Sequence, residues 1–268
     1  MTKKNKVIPV FDEAIIETHC HLDYLDEDEL PETLEKCKQY GVDKIITIAV
    51  SPDNLVKVRN LAEQNEVIWG TQGIHPHEAE KYTDAVGVEI EEGIKGDRIL
   101  AVGEIGLDYF YDHADRQIQR TVFEKQLQIA CDNNMPVVIH SREADDDMLA
   151  ILQEYAPSLT RKGVIHSFTS GINLAEKCLE MGFYLGFNGI VTFNKADNVR
   201  DALEITPVEQ VLLETDAPYL TPMPFRGRTN APYYLPCIAQ FVADQKQMPV
   251  NELIIKTRKN AEALFWGQ

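Results

Sequence analysis

Nine side chains able to hold a divalent metal recur in short apolar settings: His19 and His21, His75 and His77, Glu104 and Asp108, His140, His166 and Asp216. Imidazole and carboxylate are the donors such cations take. The first pair closes the stretch Ile15-Ile16-Glu17-Thr18-His19-Cys20-His21. In an extended segment side chains alternate, so His19 and His21 project to one side, roughly 6–7 Å apart, and Cys20 to the other. Glu17 has the same parity as the histidines. Each residue also has a plain reading. Two histidines can simply flank a strand end, His140 or His166 can be a hydrogen-bonded core histidine, and Asp216 before Ala217-Pro218 can start a turn. Glu104 is harder to dismiss, because a carboxylate entering an apolar interior needs a partner or a cation.

The elements that carry these residues alternate in type. Strand patterns fall over residues 15–23, 44–50, 67–75, 99–108, 136–142, 163–168, 183–191 and 211–216. Helical patterns fall over 30–40, 78–95, 115–133, 145–155, 174–181, 198–205, 233–245 and 251–266, with another started by Ser51-Pro52-Asp53. The strands are near-continuous apolar runs, as expected when both faces of a parallel sheet are covered. Neither a low-complexity linker nor a composition break divides the chain. The simplest architecture is one α/β domain over 1–268, a single TIM-like (β/α)8 barrel. A doubly wound open sheet would place a glycine-rich phosphate turn after the first strand, and none is present. In a barrel all strand C-termini open onto one mouth, where active sites lie. Six of the seven histidines map there, leaving His113 in a loop. Such convergence points to a metal centre. Four imidazoles with two carboxylates exceed one tetrahedral site, and a carboxylate between imidazole pairs can bridge two cations about 3.5–4 Å apart. Imidazole favours zinc, manganese, iron or nickel over magnesium.

Composition narrows the class. Hydrophobic residues make up 44% and charged residues 26% of 268, an ordinary globular balance. No apolar run reaches membrane-spanning length, and the basic start Met1-Thr2-Lys3-Lys4 leads into no leader-like apolar segment. The five scattered cysteines form no C-x-x-C and read as reduced thiols of a cytoplasmic protein. A net charge of −17 argues against gripping duplex DNA through broad basic patches. It leaves room for a nuclease that holds a strand end locally and meets the reacting phosphate with metal charge.

The ordered motifs resemble the TatD family of metal-dependent hydrolases, in the amidohydrolase-like barrel superfamily. They are Glu17-Thr-His-Cys-His-Leu-Asp23, Gly73-Ile-His-Pro-His77, Gly103-Glu-Ile-Gly-Leu-Asp-Tyr109, the segment 119–127, Pro136-Val-Val-Ile-His-Ser-Arg142, Ile165-His-Ser-Phe168, Leu213-Glu-Thr-Asp-Ala-Pro218 with its continuation to Pro222, and 226–232. The resemblance implies a deoxyribonuclease that hydrolyses phosphodiesters from the 3′ end of single strands with a metal-activated water. An ester hydrolase acting on D-aminoacyl-tRNA is the alternative within the family. It further implies two divalent metals (zinc, manganese, magnesium, nickel or iron), with His19, His21 and Asp216 holding one, His140 and His166 the other, and Glu104 bridging. Asp216 and Glu104 would be the catalytic carboxylates, with Asp216 orienting the water and taking its proton. His75 and His77 fall where the family contacts the substrate phosphate, and one or the other in protonated form would stabilise its charge; as further substrate-binding candidates, Asp108 would orient one of these histidines or contact the substrate, and Arg226 would contact the substrate. The implied partner is DNA, single-stranded or at strand ends, with neither a membrane nor an obligate protein partner.

Two positions depart from the family pattern. Glu17 stands where the family usually has Asp, and Arg228-Thr-Asn-Ala-Pro232 lacks the carboxylate of the family's Arg-Asn-Glu-Pro loop. Other features stay open or weigh less. Arg142 and Arg226 fit either a phosphate grip or a structural ion pair, and Tyr109-Phe110-Tyr111 either base stacking or packing. Glu143-Ala-Asp-Asp-Asp147 reads as a helix start favoured by the helix dipole. Cys20, on the wrong side for a ligand, reads as packing.

Overall fold

In the computed structural model, residues 6–26 and 28–267 are described; the start of the basic segment at 1–5 lies outside them. Eight strands, all parallel and in sequential order, form one sheet. They are β1 (Ile15–Cys20), β2 (Val42–Thr47), β3 (Ile68–Gln72), β4 (Ile99–Asp108), β5 (Val137–Arg142), β6 (Gly163–Ile165), β7 (Tyr184–Phe187) and β8 (Val211–Leu213). The helices between and after them are α1 (Glu29–Gln39), α2 (Leu55–Gln64), α3 (Asp84–Gly93), α4 (Arg116–Asp132), α5 (Asp145–Tyr155), α6 (Ile172–Glu180), α7 (Asp197–Ile205), α8 (Leu235–Gln245) and α9 (Val250–Ala261). This is the TIM-like barrel the alternation predicts.

The barrel closes without a β8–β1 ladder. Beyond β8, the Asp216 N–H donates to the His19 carbonyl at 2.9 Å and the His21 N–H to the Ala217 carbonyl at 2.8 Å. Thr18 Oγ1 donates to the Leu213 carbonyl at 2.9 Å. One Glu17 oxygen accepts from both the His19 and Thr215 N–H groups, at 3.0 and 2.9 Å. The Thr18 hydroxyl, as donor, and the Glu17 carboxyl, as acceptor from Thr215, thus replace part of the missing ladder.

Inside the barrel Ile16, Ile46, Leu100, Val138, Val164 and Leu212 pack in one cluster, closed by Phe265 from the C-terminal turn. A larger apolar layer, with Ile15, Cys20, Ile45, Val137, Ile139 and Leu213, fills the space under the helices. With Ile16 inside, strict alternation would send His19 outward. A register shift between Glu17 and Cys20 turns it back in. The expected shared side of Glu17 and the histidines is therefore corrected: the shift separates them.

Several boundaries differ from the sequence reading for local reasons. Ser51 does not cap α2; Asn54 precedes it, and its side-chain oxygen accepts from the Val50 and Ser51 N–H groups. The stretch 78–95 is split into a 3₁₀ turn, Pro76–Lys81, and α3, whose start is capped by the Thr83 hydroxyl accepting from Val86. Asp115 caps α4 in the same way. β6 and β8 stop early, and the chain then passes through Ser167 and Asp216 at φ 47° and 57°, left-handed conformations that break strand geometry.

Candidate metal centre

Glu104 occupies the middle of the mouth. A register shift in β4 between Val102 and Ile105 interrupts the pairing where Gly103 and Glu104 lie. A Cβ at Gly103 would come within 2.7 Å of Val138, so only glycine lets the strands approach this closely. The Glu104 side chain is buried, and its two oxygens face different neighbours. Oε2 lies 3.4 Å from His19 Nε2. Oε1 lies 2.8 Å from His166 Nε2, 3.1 Å from His140 Nδ1 and 3.4 Å from His75 Nε2. On the Oε2 side, Asp216 Oδ1 is 3.5 Å from His21 Nε2 and 3.8 Å from His19 Nε2. Donors about 2.0–2.1 Å from a tetrahedral cation are about 3.3–3.4 Å apart, so these spacings suit donors arranged around a common centre.

An unpartnered atom supports the same fit. His19 Nε2, the nitrogen that faces Glu104 and Asp216, is buried without a hydrogen bond. Orphaned buried nitrogens are costly unless a ligand satisfies them. Among the described residues, three groups place ligand atoms within 4.8 Å of one another: His19–His21–Glu104, His75–Glu104–His140 and His19–His166–Glu214. The residues therefore fit metal, with Glu104 shared by two groups.

A surrounding carboxylate orients two of the rings. Asp108 Oδ2 is 2.9 Å from His140 Nε2 and 3.0 Å from His77 Nε2, while Oδ1 accepts from the Phe110 and Tyr111 N–H groups at 3.1 and 2.8 Å. A carboxylate on one ring nitrogen keeps the proton there and frees the other for a cation. His140 Nδ1 is thereby left to face Glu104. Glu214 lies beyond the far side of the His166 ring, its Oε1 3.6 Å from Nδ1, outside hydrogen-bonding distance, and held by the Ser167 N–H at 2.6 Å. Glu214 was missed as a site residue, although it is two positions from Asp216 and therefore of the same strand parity.

His75 differs from its neighbours. Its Nδ1 accepts from the His77 N–H at 3.1 Å. In the neutral ring the proton then sits on Nε2, which makes His75 a hydrogen-bond donor to the cavity and removes it as a ligand from its group with Glu104 and His140. Burial pulls its pKa down to about 4, outweighing the Glu104 charge. The alternative of a protonated His75 is thus corrected to a neutral donor. Burial opposes charge on Glu104 as well, but His166, His75 and His140 hold it well below the usual carboxylate range. The His21 ring, buried yet beside Asp216, is raised. His166, buried between Glu104 and Glu214, is raised further.

Glu17 belongs to none of the ligand groups. Burial pushes its carboxyl up to about 8 against the two N–H groups it accepts from, with Glu214 adding to the rise. It joins the strand ends carrying His19 and Asp216. Of its two expected places Asp108 takes the one beside the histidines, whereas Arg226 lies away from the cavity. Asp108 has no exposed surface and is turned toward histidines. Arg226 is exposed, its guanidinium 4.2 Å above the Phe193 ring, and does not line the cavity over Glu104. His75, His77 and Arg142 do line that cavity of about 510 Å³. The fifth strand's acidic follow-on is structural: Asp145, Asp146 and Asp147 form the first turn of α5, and Asp147 accepts from Tyr109 and Arg120. Cys20 is buried in the outer layer, as its packing role requires.

The family model described as TatD related DNase matches residues 16–266. The chain belongs to the TatD-related DNase family. It is 34% identical over 252 residues to the uncharacterized metal-dependent hydrolase YabD of Bacillus subtilis, covering 94% of this chain and 98% of that one. It is 35% identical over 258 residues to the uncharacterized metal-dependent hydrolase YcfH of Escherichia coli, covering 94% and 95%. The crystal structure of YjjV, a TatD homolog from Escherichia coli, superposes with a TM-score of 0.89 at 31% identity, over 94% of this chain and 97% of that one. Within the TatD-related family this is a metal-dependent hydrolase on a barrel fold. Among the described residues no helix is long and apolar enough to cross a membrane.

Proposed function

We propose that the protein is a deoxyribonuclease that shortens DNA from the 3′ end by hydrolysing phosphodiesters at a two-metal centre. The observation that carries this reading is the division of Glu104, whose two oxygens face separate imidazole sets. His19, His21 and Asp216 would hold one cation, His140 and His166 the other, and Glu104 both. Bound there, divalent cations polarise phosphoryl oxygens and make water acidic near neutral pH.

The chain's own residues would act around that centre. Asp216, at the open edge beside His21, would orient the attacking water and take its proton. The water oxygen forms the new bond to phosphorus as the bond to the 3′ oxygen breaks on the opposite side, and that oxygen leaves as a hydroxyl by taking a proton from solvent. His75 Nε2–H donates to a phosphoryl oxygen without carrying charge. Asp108 keeps His140 in the tautomer that presents Nδ1 to the centre.

The test uses protein stripped by chelator and reloaded separately with magnesium, manganese and zinc. A 5′-labelled single strand should shorten stepwise only in the reloaded samples. An intact strand under every metal, with cleavage of a charged D-aminoacyl-tRNA or a small ester instead, would overturn the nuclease assignment.

A further inference from the structure

Four aromatic side chains are exposed among the described residues: Tyr24, Phe110, Tyr111 and Tyr219. All four stand on segments that follow strand C-termini, after β1, β4 and β8. Aromatic rings are costly to leave in water, so their confinement to the mouth needs a reason. They form two groups. Tyr24 and Tyr219 meet edge to face, ring centres 6.4 Å apart, beside His21 and Asp216. Phe110 and Tyr111 meet edge to face at 4.8 Å. Tyr111 also lies against His77, at 5.4 Å. In an eight-stranded barrel β1/β8 and β4/β5 are diametrically opposed, so the groups flank the Glu104 centre from facing sides, and Tyr24, Tyr111 and Tyr219 line one cavity with it.

The second group includes a cation. The Arg142 guanidinium lies 4.2 Å over the Phe110 ring and 5.2 Å from that of Tyr111. Among the described residues it has no carboxylate partner, although the chain carries 43 acidic residues against 26 basic ones. Arg142 lines the cavity too. An unpaired guanidinium on an aromatic face, next to exposed rings, is suited to a phosphate whose neighbouring base stacks.

We infer that Tyr24–Tyr219 and Phe110–Tyr111, the latter with Arg142, are two stacking platforms that hold the unpaired bases on either side of the phosphate seated at the metal centre. The inference rests on the nuclease reading and deepens it by assigning the specificity-determining side chains. At a duplex end only the outer face of the last pair is open, so two neighbouring bases can reach opposed platforms only after they unpair and unstack. The platforms therefore select an unpaired end by ring faces rather than by base identity.

The experiment compares the wild type with Y24A/Y219A and Y24F/Y219F, each loaded with manganese. The substrates are two labelled single strands of equal length, one of them with abasic residues at its last two 3′ positions. The alanine pair should raise KM on the intact strand about fivefold or more, the lower end of what stacking one base contributes, with kcat nearly kept. It should leave KM on the abasic strand unchanged, and the phenylalanine pair should restore the intact-strand KM. Tyr24 also stacks on His21, ring centres 5.0 Å apart. A loss transmitted through the metal ligand would fall equally on both strands and overturn the platform assignment, as would no loss on either. A wild type that degrades neither strand overturns the nuclease reading, and the assignment with it.

Discussion

Asp108→Asn isolates what a buried carboxylate does for the metal centre. The substitution keeps the shape but replaces one acceptor oxygen with an NH2 group. If the remaining oxygen stays on the Phe110 and Tyr111 N–H groups, the amide donors face His77 and His140, where Asp108 Oδ2 now stands at 3.0 and 2.9 Å. Each Nε2 must then accept, and the proton of neutral His140 moves to Nδ1, the nitrogen 3.1 Å from Glu104. That nitrogen loses its free lone pair. The flipped amide is no better, because its NH2 would oppose two backbone N–H groups. Losing such an orienting carboxylate costs roughly 10–100-fold in metal affinity, or about 1.4–2.8 kcal/mol. The effect should fall on the cation beside His140 and spare the one beside His19, His21 and Asp216. Competition of zinc between the protein and a fluorescent chelator resolves the two affinities. Equal affinities in variant and wild type would refute the tautomer argument; an equal loss at both positions would show that Asp108 supports the barrel rather than His140.

Other outcomes follow from the same geometry. Glu104→Ala removes the carboxylate shared by two ligand groups, so activity should be lost, and bound metal measured by emission spectrometry should fall below one ion per chain while circular dichroism stays that of a folded barrel. Glu17→Ala leaves the buried His19 and Thr215 N–H groups unpaired, at about 2–6 kcal/mol in total from roughly 1–3 for each; urea unfolding of metal-free protein measures it. The five thiols should divide by burial. Cys131 is partly exposed, whereas Cys20, Cys37, Cys178 and Cys237 are buried, the last two with pKa values raised to about 12 by burial. A thiol reagent at pH 8 should therefore titrate one group in the native protein and five after unfolding.

The barrel was legible in the chain because strands covered on both faces must be apolar throughout, and helices between them must carry one apolar stripe. That alternation also determined which ends would meet, so the convergence of His19, His21, Glu104, His140, His166 and Asp216 at one mouth followed from strand order alone. The roles of individual donors did not. Period-two alternation placed Glu17 with the histidines, but register shifts in β1 and β4 decide which side chains face inward, and such shifts arise from contacts between strands distant in sequence. Asp108 reads as a strand-end acid at the mouth, open to several roles, until α4 and the rings of His77 and His140 bury it. His75 reads as one imidazole among several until the His77 N–H determines which nitrogen carries its proton. Residue type and strand position set the composition of the centre; protonation, orientation and burial depend on neighbours that only the closed barrel brings within hydrogen-bonding distance.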